Sequence, residues 1–216
     1  IGMIVLSGTI GAGKTSLTKM LAQHLDSEAF YESVDDNPIL PLFYEDPKKY
    51  GFLLQIYFLN KRLAQIKKAQ VVTKNILDRS IFEDALLFQL TADLDRATQT
   101  EVDIYKSLVD NMMAEIPGGA SKDPDLLIHV RVSFDTMLAR IKKRGRSYEQ
   151  IDENPSLYEY YQALNSRYDD WFENYDRSLK IQIDGDRFDF VENPKARAEV
   201  FEMIDAKLSE TGVLSF

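Results

Sequence analysis

The segment that decides the fold lies near the start of the chain, where an apolar run, a glycine-rich turn and a helical pattern follow one another. The apolar run is Ile4-Val5-Leu6, and apolar residues recur at helical spacing from Ser16 to Leu25. The turn between them is Gly8-Thr9-Ile10-Gly11-Ala12-Gly13-Lys14-Thr15. Glycines at this spacing let backbone N–H groups converge on phosphate oxygens without a Cβ in the way.

This turn predicts a bound nucleoside triphosphate and a magnesium ion. Lys14 would reach the β- and γ-phosphates, and the Thr15 hydroxyl would bind Mg²⁺. The helix that starts after the turn would add the partial positive charge of its N-terminus. The alternative is a glycine-rich turn that only joins a strand to a helix. The motif does not indicate which molecule accepts the phosphoryl group.

Strand and helix patterns alternate from this segment to the end of the chain. This alternation predicts an α/β fold with a five-stranded parallel sheet covered by helices on both faces, in one domain over residues 1–216. The predicted strands are residues 4–6, 29–31, 75–77, 126–132 and 179–183. The predicted helices are residues 16–25, 47–72, 80–92, 100–116, 134–143, 155–176 and 194–210, with Asp46 and Ser133 as two of the N-caps.

Composition and charge exclude several classes of function. The chain has 26 Lys and Arg residues against 35 Asp and Glu residues, and the net charge of −9 argues against a nucleic-acid partner. Without cysteine, the chain forms no disulfide, thiolate nucleophile or cysteine-based zinc site. No apolar run approaches the roughly 18 residues that span a bilayer, and no signal-peptide pattern is visible. We therefore expect a cytoplasmic protein that binds neither nucleic acid nor membranes.

Two acidic residues follow predicted strands beside the phosphate-binding turn. They are Glu32 and Asp78, and Arg79 comes directly after Asp78. Ligands bind at the carboxyl ends of parallel strands, and phosphoryl transfer to an alcohol needs a carboxylate that accepts the hydroxyl proton. Asp78 could hold Mg²⁺, and Arg79 could bind the acceptor oxygen or the γ-phosphate. The alternative for each acid is a helix cap or a solvated charge.

Three arginines, Arg140, Arg144 and Arg146, lie close together after the fourth predicted strand. In so acidic a chain, this concentration of positive charge indicates an anionic ligand. We predict a lid over residues 140–152 that closes on the triphosphate. The alternative is a solvated helix end whose cations complement the helix dipole.

The long helix predicted at residues 47–72 carries Gln55 and Arg62 on one face. Their seven-residue spacing is about 700° of rotation, so the two side chains point the same way within about 20°. An amide and a guanidinium on an apolar helix need polar partners if they are buried. Arg62 and Asp84 could pair and, with Gln55, contact the edge of a nucleobase. A surface amide and a plain salt bridge are the alternatives.

With these motifs placed, the chain resembles the deoxynucleoside kinase family, in particular the bacterial deoxyadenosine and deoxyguanosine kinases. The resemblance covers nearly the whole chain. The segments that carry it are Phe30-Tyr31-Glu32, Tyr44-Glu45-Asp46-Pro47 with Gln55 and Arg62, Asp78-Arg79-Ser80 with Asp84, Arg144-Gly145-Arg146-Ser147-Tyr148-Glu149-Gln150, and Ile183-Asp184-Gly185-Asp186.

The resemblance implies ATP-dependent phosphorylation of the 5′-hydroxyl of a deoxynucleoside. Glu32 would be the catalytic base, assisted by Arg79 and Lys14, and the magnesium ligands would be Thr15 and Asp78. The implied substrate-binding residues are Glu32, Tyr44, Gln55, Arg62, Asp78, Arg79, Asp84 and Glu149. The implied ATP-binding residues are Gly8, Thr9, Ile10, Gly11, Ala12, Gly13, Lys14, Thr15, Ser16, Arg140, Arg144, Arg146 and Asp186.

The resemblance also implies a dimer, formed through the helices at 47–72 and 80–92. It would be a homodimer or a heterodimer with a related kinase subunit. Asp84 suits deoxyadenosine, deoxyguanosine or deoxycytidine better than thymidine, because an ionised carboxylate accepts from an amino group. Two other functions stay open at this point, a thymidylate-type monophosphate kinase and a non-catalytic nucleotide-binding regulator.

Overall fold

A five-stranded sheet forms the centre of the structure, a computed structural model that describes residues 2–32, 36–116 and 123–212. All four neighbouring strand pairs are parallel, in the order β2-β3-β1-β4-β5. The strands are β1 Gly2–Gly8, β2 Glu28–Phe30, β3 Lys74–Asp78, β4 Leu126–Arg131 and β5 Leu179–Asp184. The predicted fold class is confirmed. Residues 1 and 216, the ends of the predicted single domain, lie outside the described ranges.

Helices cover both faces of the sheet, as predicted. They are α1 Lys14–His24, α2 Leu40–Glu45, α3 Pro47–Ala69, α4 Ile81–Asp93, α5 Gln99–Glu115, α6 Phe134–Arg144, α7 Ser156–Asn174 and α8 Pro194–Ser209, and a 3₁₀ turn lies at Ser147–Glu149. The sequence prediction missed α2, because six residues are too few to show a helical period. Within the described ranges, no helix is both long and apolar enough to pass through a membrane.

The predicted N-caps are correct, and they explain where two of the helices begin. The Asp46 carboxylate accepts the Lys49 backbone N–H at 3.3 Å, with Pro47 in the first turn of α3. The Ser133 hydroxyl accepts the Thr136 backbone N–H at 3.2 Å and starts α6. Each cap provides an acceptor for a backbone N–H that has no partner within its own helix.

Strand β1 shows how the core divides between the two faces of the sheet. Its successive side chains alternate between faces, so Ile4 and Leu6 pack in one apolar cluster while Met3 and Val5 pack in the other. Helices α1, α6 and α8 contribute to the first cluster and α4 and α5 to the second. Because both faces are covered, all seven residues of β1 are buried.

The strand order determines which chain segments meet at the carboxyl edge. Strand β1 lies between β3 and β4, and Leu6 is in register with Asp78 at the end of β3. Strand β2 pairs with β3 and ends at Phe30, two residues before Glu32. The phosphate-binding turn, Glu32 and Asp78 therefore converge at one edge, the usual ligand position in such sheets.

Candidate active site

The turn between β1 and α1, hereafter the phosphate loop (residues 8–16), has a backbone that requires glycine. Gly8 has φ +154°, and a Cβ there would lie 2.8 Å from the Val130 carbonyl oxygen. Gly13 has φ +91° and is the N-cap of α1. A residue without a side chain cannot cap the helix, so the first-turn N–H groups of α1 are suited to an anion.

Asp78 contacts the side chains of Lys14 and Thr15 at the start of α1. The Thr15 hydroxyl donates to Asp78 Oδ2 at 2.7 Å, and Lys14 Nζ donates to Oδ1 at 3.2 Å. The hydroxyl and the carboxylate are hard oxygen ligands that fit Mg²⁺, which keeps several waters and binds nucleotide phosphates. No group of three or more acidic or histidine side chains able to hold a metal occurs in the described ranges.

Glu32 lies among three cationic side chains. Its Oε1 accepts from Arg62 Nη2 at 3.0 Å and its Oε2 accepts from Arg79 Nε at 2.9 Å. Lys14 Nζ lies 3.7 Å from Oε2. Burial raises the pKa of the Glu32 carboxyl, but the charges of Arg79, Arg62 and Lys14 outweigh burial and hold this pKa far below its ordinary value. Glu32 is therefore ionised at neutral pH.

Arg62 links Glu32 to Asp84, and the predicted pair is present. Arg62 Nε donates to Asp84 Oδ2 at 3.2 Å, and its guanidinium lies 5.3 Å from the centre of the Phe58 ring. Gln55 is only 3% exposed, so the surface-amide alternative is wrong. Asp84 Oδ1 and Gln55 Oε1 are buried and accept no hydrogen bond from any described residue. A buried acceptor in this condition suits a ligand that donates an N–H group.

The predicted lid is anchored by a buried carboxylate. Glu149 lies in the 3₁₀ turn, 2% exposed, and accepts from Arg144 Nη2 at 2.8 and 3.0 Å. Arg146 Nη1 lies 3.9 Å from the same carboxylate. Tyr161 donates to the Glu149 carbonyl oxygen at 2.8 Å, and the Tyr44 ring packs 5.6 Å from that of Tyr148. The two predicted phosphate-binding arginines thus pair with the residue predicted to bind the sugar.

Two predicted ATP-binding residues have polar side chains engaged with the protein backbone. Arg140 donates to the carbonyl oxygens of Gly11, Ala12 and Gly185 at 3.3, 3.0 and 3.1 Å. Asp186 Oδ2 accepts the Ser133 N–H at 3.0 Å, at the start of α6. Arg140 thus supports the phosphate loop, and Asp186 supports the start of α6.

One cavity of about 740 Å³ joins most of the predicted residues. It has room for a nucleotide and a small acceptor side by side. Gly8, Asp78, Arg62 and Asp84 do not border it, and Arg62 and Glu32 border a second cavity of about 210 Å³. The predicted residues that line the large cavity are Thr9 to Ser16 of the phosphate loop, Glu32, Tyr44, Gln55, Arg79, Arg140, Arg144, Arg146, Glu149 and Asp186.

Sequence reasoning missed Glu83 and Tyr168. Glu83 is fully buried and accepts from the Gly8 N–H at 3.1 Å, the Ser80 N–H at 2.7 Å and the Tyr168 hydroxyl at 2.9 Å. Burial raises the pKa of the Glu83 carboxyl, although Arg79 opposes this effect. The available signal was the capping box Ser80-x-x-Glu83 at the start of α4.

Arg79 itself has a strained backbone. Its φ is +110°, in a region that non-glycine residues rarely adopt and that costs about 1–3 kcal/mol. Its N–H donates to the Leu6 carbonyl oxygen at 2.9 Å, which keeps the strained residue attached to β1. Strain of this kind persists where surrounding contacts hold a side chain in a required position.

One family model matches almost the whole chain, including the phosphate loop, Glu32 and the buried residues Gln55, Arg62 and Asp84. The family model described as deoxynucleoside kinase matches residues 4–209. The chain belongs to the deoxynucleoside kinase family. This kinase is therefore an enzyme that phosphorylates a deoxynucleoside, and the predicted function is confirmed over the monophosphate kinase and the non-catalytic regulator.

Similar proteins cover nearly the whole kinase. It is 57% identical over 210 residues to a deoxyguanosine kinase of Lactobacillus johnsonii, covering 97% of this chain and 94% of that protein. It is also 57% identical over 214 residues to a deoxyadenosine kinase of Lactobacillus acidophilus, covering 99% and 100%. The solved structure of deoxyadenosine kinase from M. mycoides with bound dATP has a TM-score of 0.78 at 30% identity, covering 94% and 99%.

Proposed function

We propose that this kinase transfers the γ-phosphoryl group of ATP to the 5′-hydroxyl of a deoxynucleoside whose base carries an amino group. The observation that carries the proposal is the position of Glu32. Its carboxylate lies 3.7 Å from Lys14 Nζ, at the boundary between the phosphate loop and the acceptor side of the same cavity. A proton acceptor and a phosphate-binding cation thus meet where the two substrates would react.

The transfer makes one bond to phosphorus and breaks another. The 5′-oxygen attacks the γ-phosphorus, the bond to the β–γ bridging oxygen breaks, and ADP leaves with that oxygen. Glu32 takes the proton of the 5′-hydroxyl. Arg79 donates to Glu32 at 2.9 Å and is placed to hold the attacking oxygen beside it. Catalysis then consists mostly of positioning and charge stabilisation.

Binding of the substrates would change the basicity of Glu32. In the structure, three cations hold the pKa of its carboxyl low, which makes it a weak base. Phosphates bound in the loop would compete for Lys14, and a nucleobase beside Asp84 would compete for Arg62. Each exchange moves a positive charge away from the Glu32 carboxylate and so raises its pKa. Glu32 would therefore be a stronger base in the assembled complex than in the free enzyme.

The buried acceptors on α3 and α4 favour a base with an amino group. Gln55 borders the large cavity and its Oε1 lacks a donor, whereas Asp84 Oδ1 also lacks a donor but lies behind the cavity wall and would become accessible only as the base binds. An exocyclic amino group supplies two N–H bonds. Adenine, guanine and cytosine carry such a group, whereas thymine does not. Deoxyadenosine, deoxyguanosine and deoxycytidine are the proposed substrates, and the deoxyadenosine and deoxyguanosine kinases among the relatives have names compatible with this set.

Magnesium would be held by Thr15, Asp78 and the nucleotide phosphates. The ion would supply positive charge to the β- and γ-phosphate oxygens when bound. The Thr15 hydroxyl and the Asp78 carboxylate already lie 2.7 Å apart, so neither side chain has to be brought from another part of the site. The protein alone offers too few ligands for tight binding, which makes the nucleotide part of the site.

Lid closure is proposed to follow from sugar binding. A 3′-hydroxyl held by Tyr44 and Glu149 would compete with Arg144 for the buried carboxylate. Arg144 and Arg146 both line the large cavity, so a short rotation would bring their charges toward the triphosphate. Water would be excluded at the same moment, which strengthens every charge interaction inside the site.

Dimerisation is proposed through α3 and α4. Leu53 on α3 is 48% exposed, a large apolar side chain on the surface of a helix that otherwise packs against α4. Light scattering of the purified chain should give twice the mass of one chain. A monomeric mass for the chain alone, and a heavier complex only with a related subunit, would indicate a heterodimer instead.

The substrate proposal is tested by measuring ADP release from ATP with each acceptor separately. The acceptors are the four deoxynucleosides, thymidine monophosphate and a blank without acceptor. We expect rapid turnover with at least one amino-bearing nucleoside, thymidine as the poorest nucleoside, and no turnover after EDTA. Highest activity with thymidine or with the monophosphate would overturn the assigned acceptor.

A further inference from the structure

Glu83 connects three parts of the site without bordering the cavity. It receives the backbone N–H of Gly8 at 3.1 Å, at the first residue of the phosphate loop. It receives the backbone N–H of Ser80 at 2.7 Å, directly after Arg79. It also receives the hydroxyl of Tyr168 from α7 at 2.9 Å. Glu83 is fully buried, and burying a carboxylate costs free energy even when hydrogen bonds compensate for it. Capping a helix does not require this burial.

The guanidinium of Arg79 is held between two carboxylates. Its Nε faces Glu32 at 2.9 Å, while its Nη1 lies 3.6 Å from Glu83 Oε1 and 3.3 Å from the Tyr168 hydroxyl. Its backbone is in the strained left-handed region at φ +110°. The side chain and the backbone of Arg79 are thus both restrained by contacts that include Glu83.

We propose that Glu83 is a positioning residue for phosphoryl transfer. Its carboxylate fixes the Arg79 guanidinium against Glu32 and joins Arg79 to the first residue of the phosphate loop. This inference rests on the proposed function, because Arg79 and Glu32 matter only if Glu32 accepts the 5′-hydroxyl proton. Glu83 thereby fixes the distance between the phosphate loop and the catalytic base, Glu32.

The chain contains a matched control for this role. Helix α5 begins with a second capping box, in which the Thr98 N–H donates to Glu101 Oε1 at 2.9 Å. Ser80–Glu83 and Thr98–Glu101 therefore cap their helices in the same way, but the α5 box is solvent-exposed and does not border the cavity. A substitution at Glu101 therefore measures the effect of losing a helix cap alone. A substitution at Glu83 measures the loss of a helix cap together with the loss of the contact to Arg79.

The experiment compares Glu83→Gln with Glu101→Gln, using the deoxynucleoside that the parent enzyme phosphorylates fastest. Glutamine keeps the size of the side chain but places an NH₂ donor opposite the backbone N–H groups and the hydroxyl that donate to Glu83. We expect Glu83→Gln to lower kcat by about 10- to 100-fold, the effect of a small misplacement of reacting groups. The KM values for nucleoside and ATP should change little, because no substrate contact is removed. Glu101→Gln should keep the parent kcat.

Tyr168→Phe is the milder variant, and it covers the case in which Glu83→Gln fails to fold. It removes the hydroxyl contacts to Glu83 and Arg79 and keeps the aromatic ring, so kcat should fall by about 2- to 10-fold. Parent-like kcat in Tyr168→Phe, or equal kcat in folded Glu83→Gln and Glu101→Gln, would overturn the inference alone. A parent enzyme that phosphorylates no nucleoside would overturn the proposed function and this inference with it.

Discussion

The proposed donor and acceptor halves of the active site are built in different ways. The phosphate loop is nine consecutive residues, 8–16, and the groups that it would offer to a phosphate are mostly backbone N–H groups at the start of α1. The acceptor half consists of buried side chains from chain positions as far apart as Glu32 and Glu149. The first is a local conformation that glycine permits, and the second is a balance of charges that exists only after folding.

This difference predicts how each half responds to substitution. In the donor half, removal of one cation leaves the backbone cradle in place. In the acceptor half, the carboxylates of Glu32 and Asp84 both pair with Arg62 out of water, so loss of one member leaves a neighbouring charge without that partner. A stranded buried charge is strongly destabilising, whereas replacing a whole pair with apolar groups is often tolerated. Substitutions in the acceptor half should therefore be made in pairs or with isosteric residues.

The largest effect is expected for Glu32→Gln. The amide keeps the size of the side chain and loses the proton-accepting charge, so kcat should fall by about 10²–10⁴-fold. Steady-state turnover measures the loss, while isothermal titration with the nucleoside and thermal melting check that binding and fold remain. A variant with at least half the parent kcat would remove Glu32 from the mechanism.

In the donor half, Lys14→Ala should lower kcat by about 10²–10³-fold, the effect of losing one donor to transition-state charge. Circular dichroism should show an intact fold, because the glycine backbone of the loop does not depend on this side chain. Asp78 and Glu32 each lose a cation, which should lower the melting temperature. If the variant melts far below the parent and shows no folded baseline, Lys14 is a structural residue.

The paired substitution Asp84→Ala with Arg62→Met tests the base contacts of the acceptor half. It removes the Arg62–Asp84 salt bridge as a whole, and Glu32, which also loses Arg62, keeps its contacts with Arg79 and Lys14. We expect kcat/KM for deoxyadenosine and deoxycytidine to fall by about 5- to 150-fold, corresponding to about 1–3 kcal/mol for an unmade hydrogen bond. Thymidine should lose far less. Equal losses for all nucleosides would show that the pair is structural and that Gln55 selects the base.

The smallest expected effect is a difference between the pH profiles of kcat and kcat/KM. The cations around Glu32 hold its carboxyl pKa far below the ordinary value in the free enzyme, and we expect substrates to raise this pKa by drawing away Lys14 and Arg62. A base must be unprotonated, so activity is lost as pH falls through its pKa. The acid limb of kcat, which reports the complex, should therefore lie at higher pH than that of kcat/KM, which reports the free enzyme. Coincident limbs would contradict substrate-dependent tuning of Glu32.

Some features follow from short stretches of sequence and were predictable for that reason. The phosphate loop, the Asp46 and Ser133 caps and the shared face of Gln55 and Arg62 each depend on spacing within one element. Backbone geometry alone relates such residues, since helix and strand periods are constant. The alternation of strands and helices similarly predicted the parallel sheet, because parallel neighbours need crossover connections.

The tertiary structure decided which charges meet. Nothing local in the sequence places Glu32 within hydrogen-bond reach of both Arg62 and Arg79, or buries Glu83 beneath Gly8 with Tyr168. These contacts depend on the strand order, which puts the end of β2 beside β3 and β3 beside β1. The sequence by itself therefore determined the fold class and the phosphate-binding chemistry. Only the packed sheet and helices determined the charge balance around Glu32, because burial and long-range proximity arise together when the chain folds.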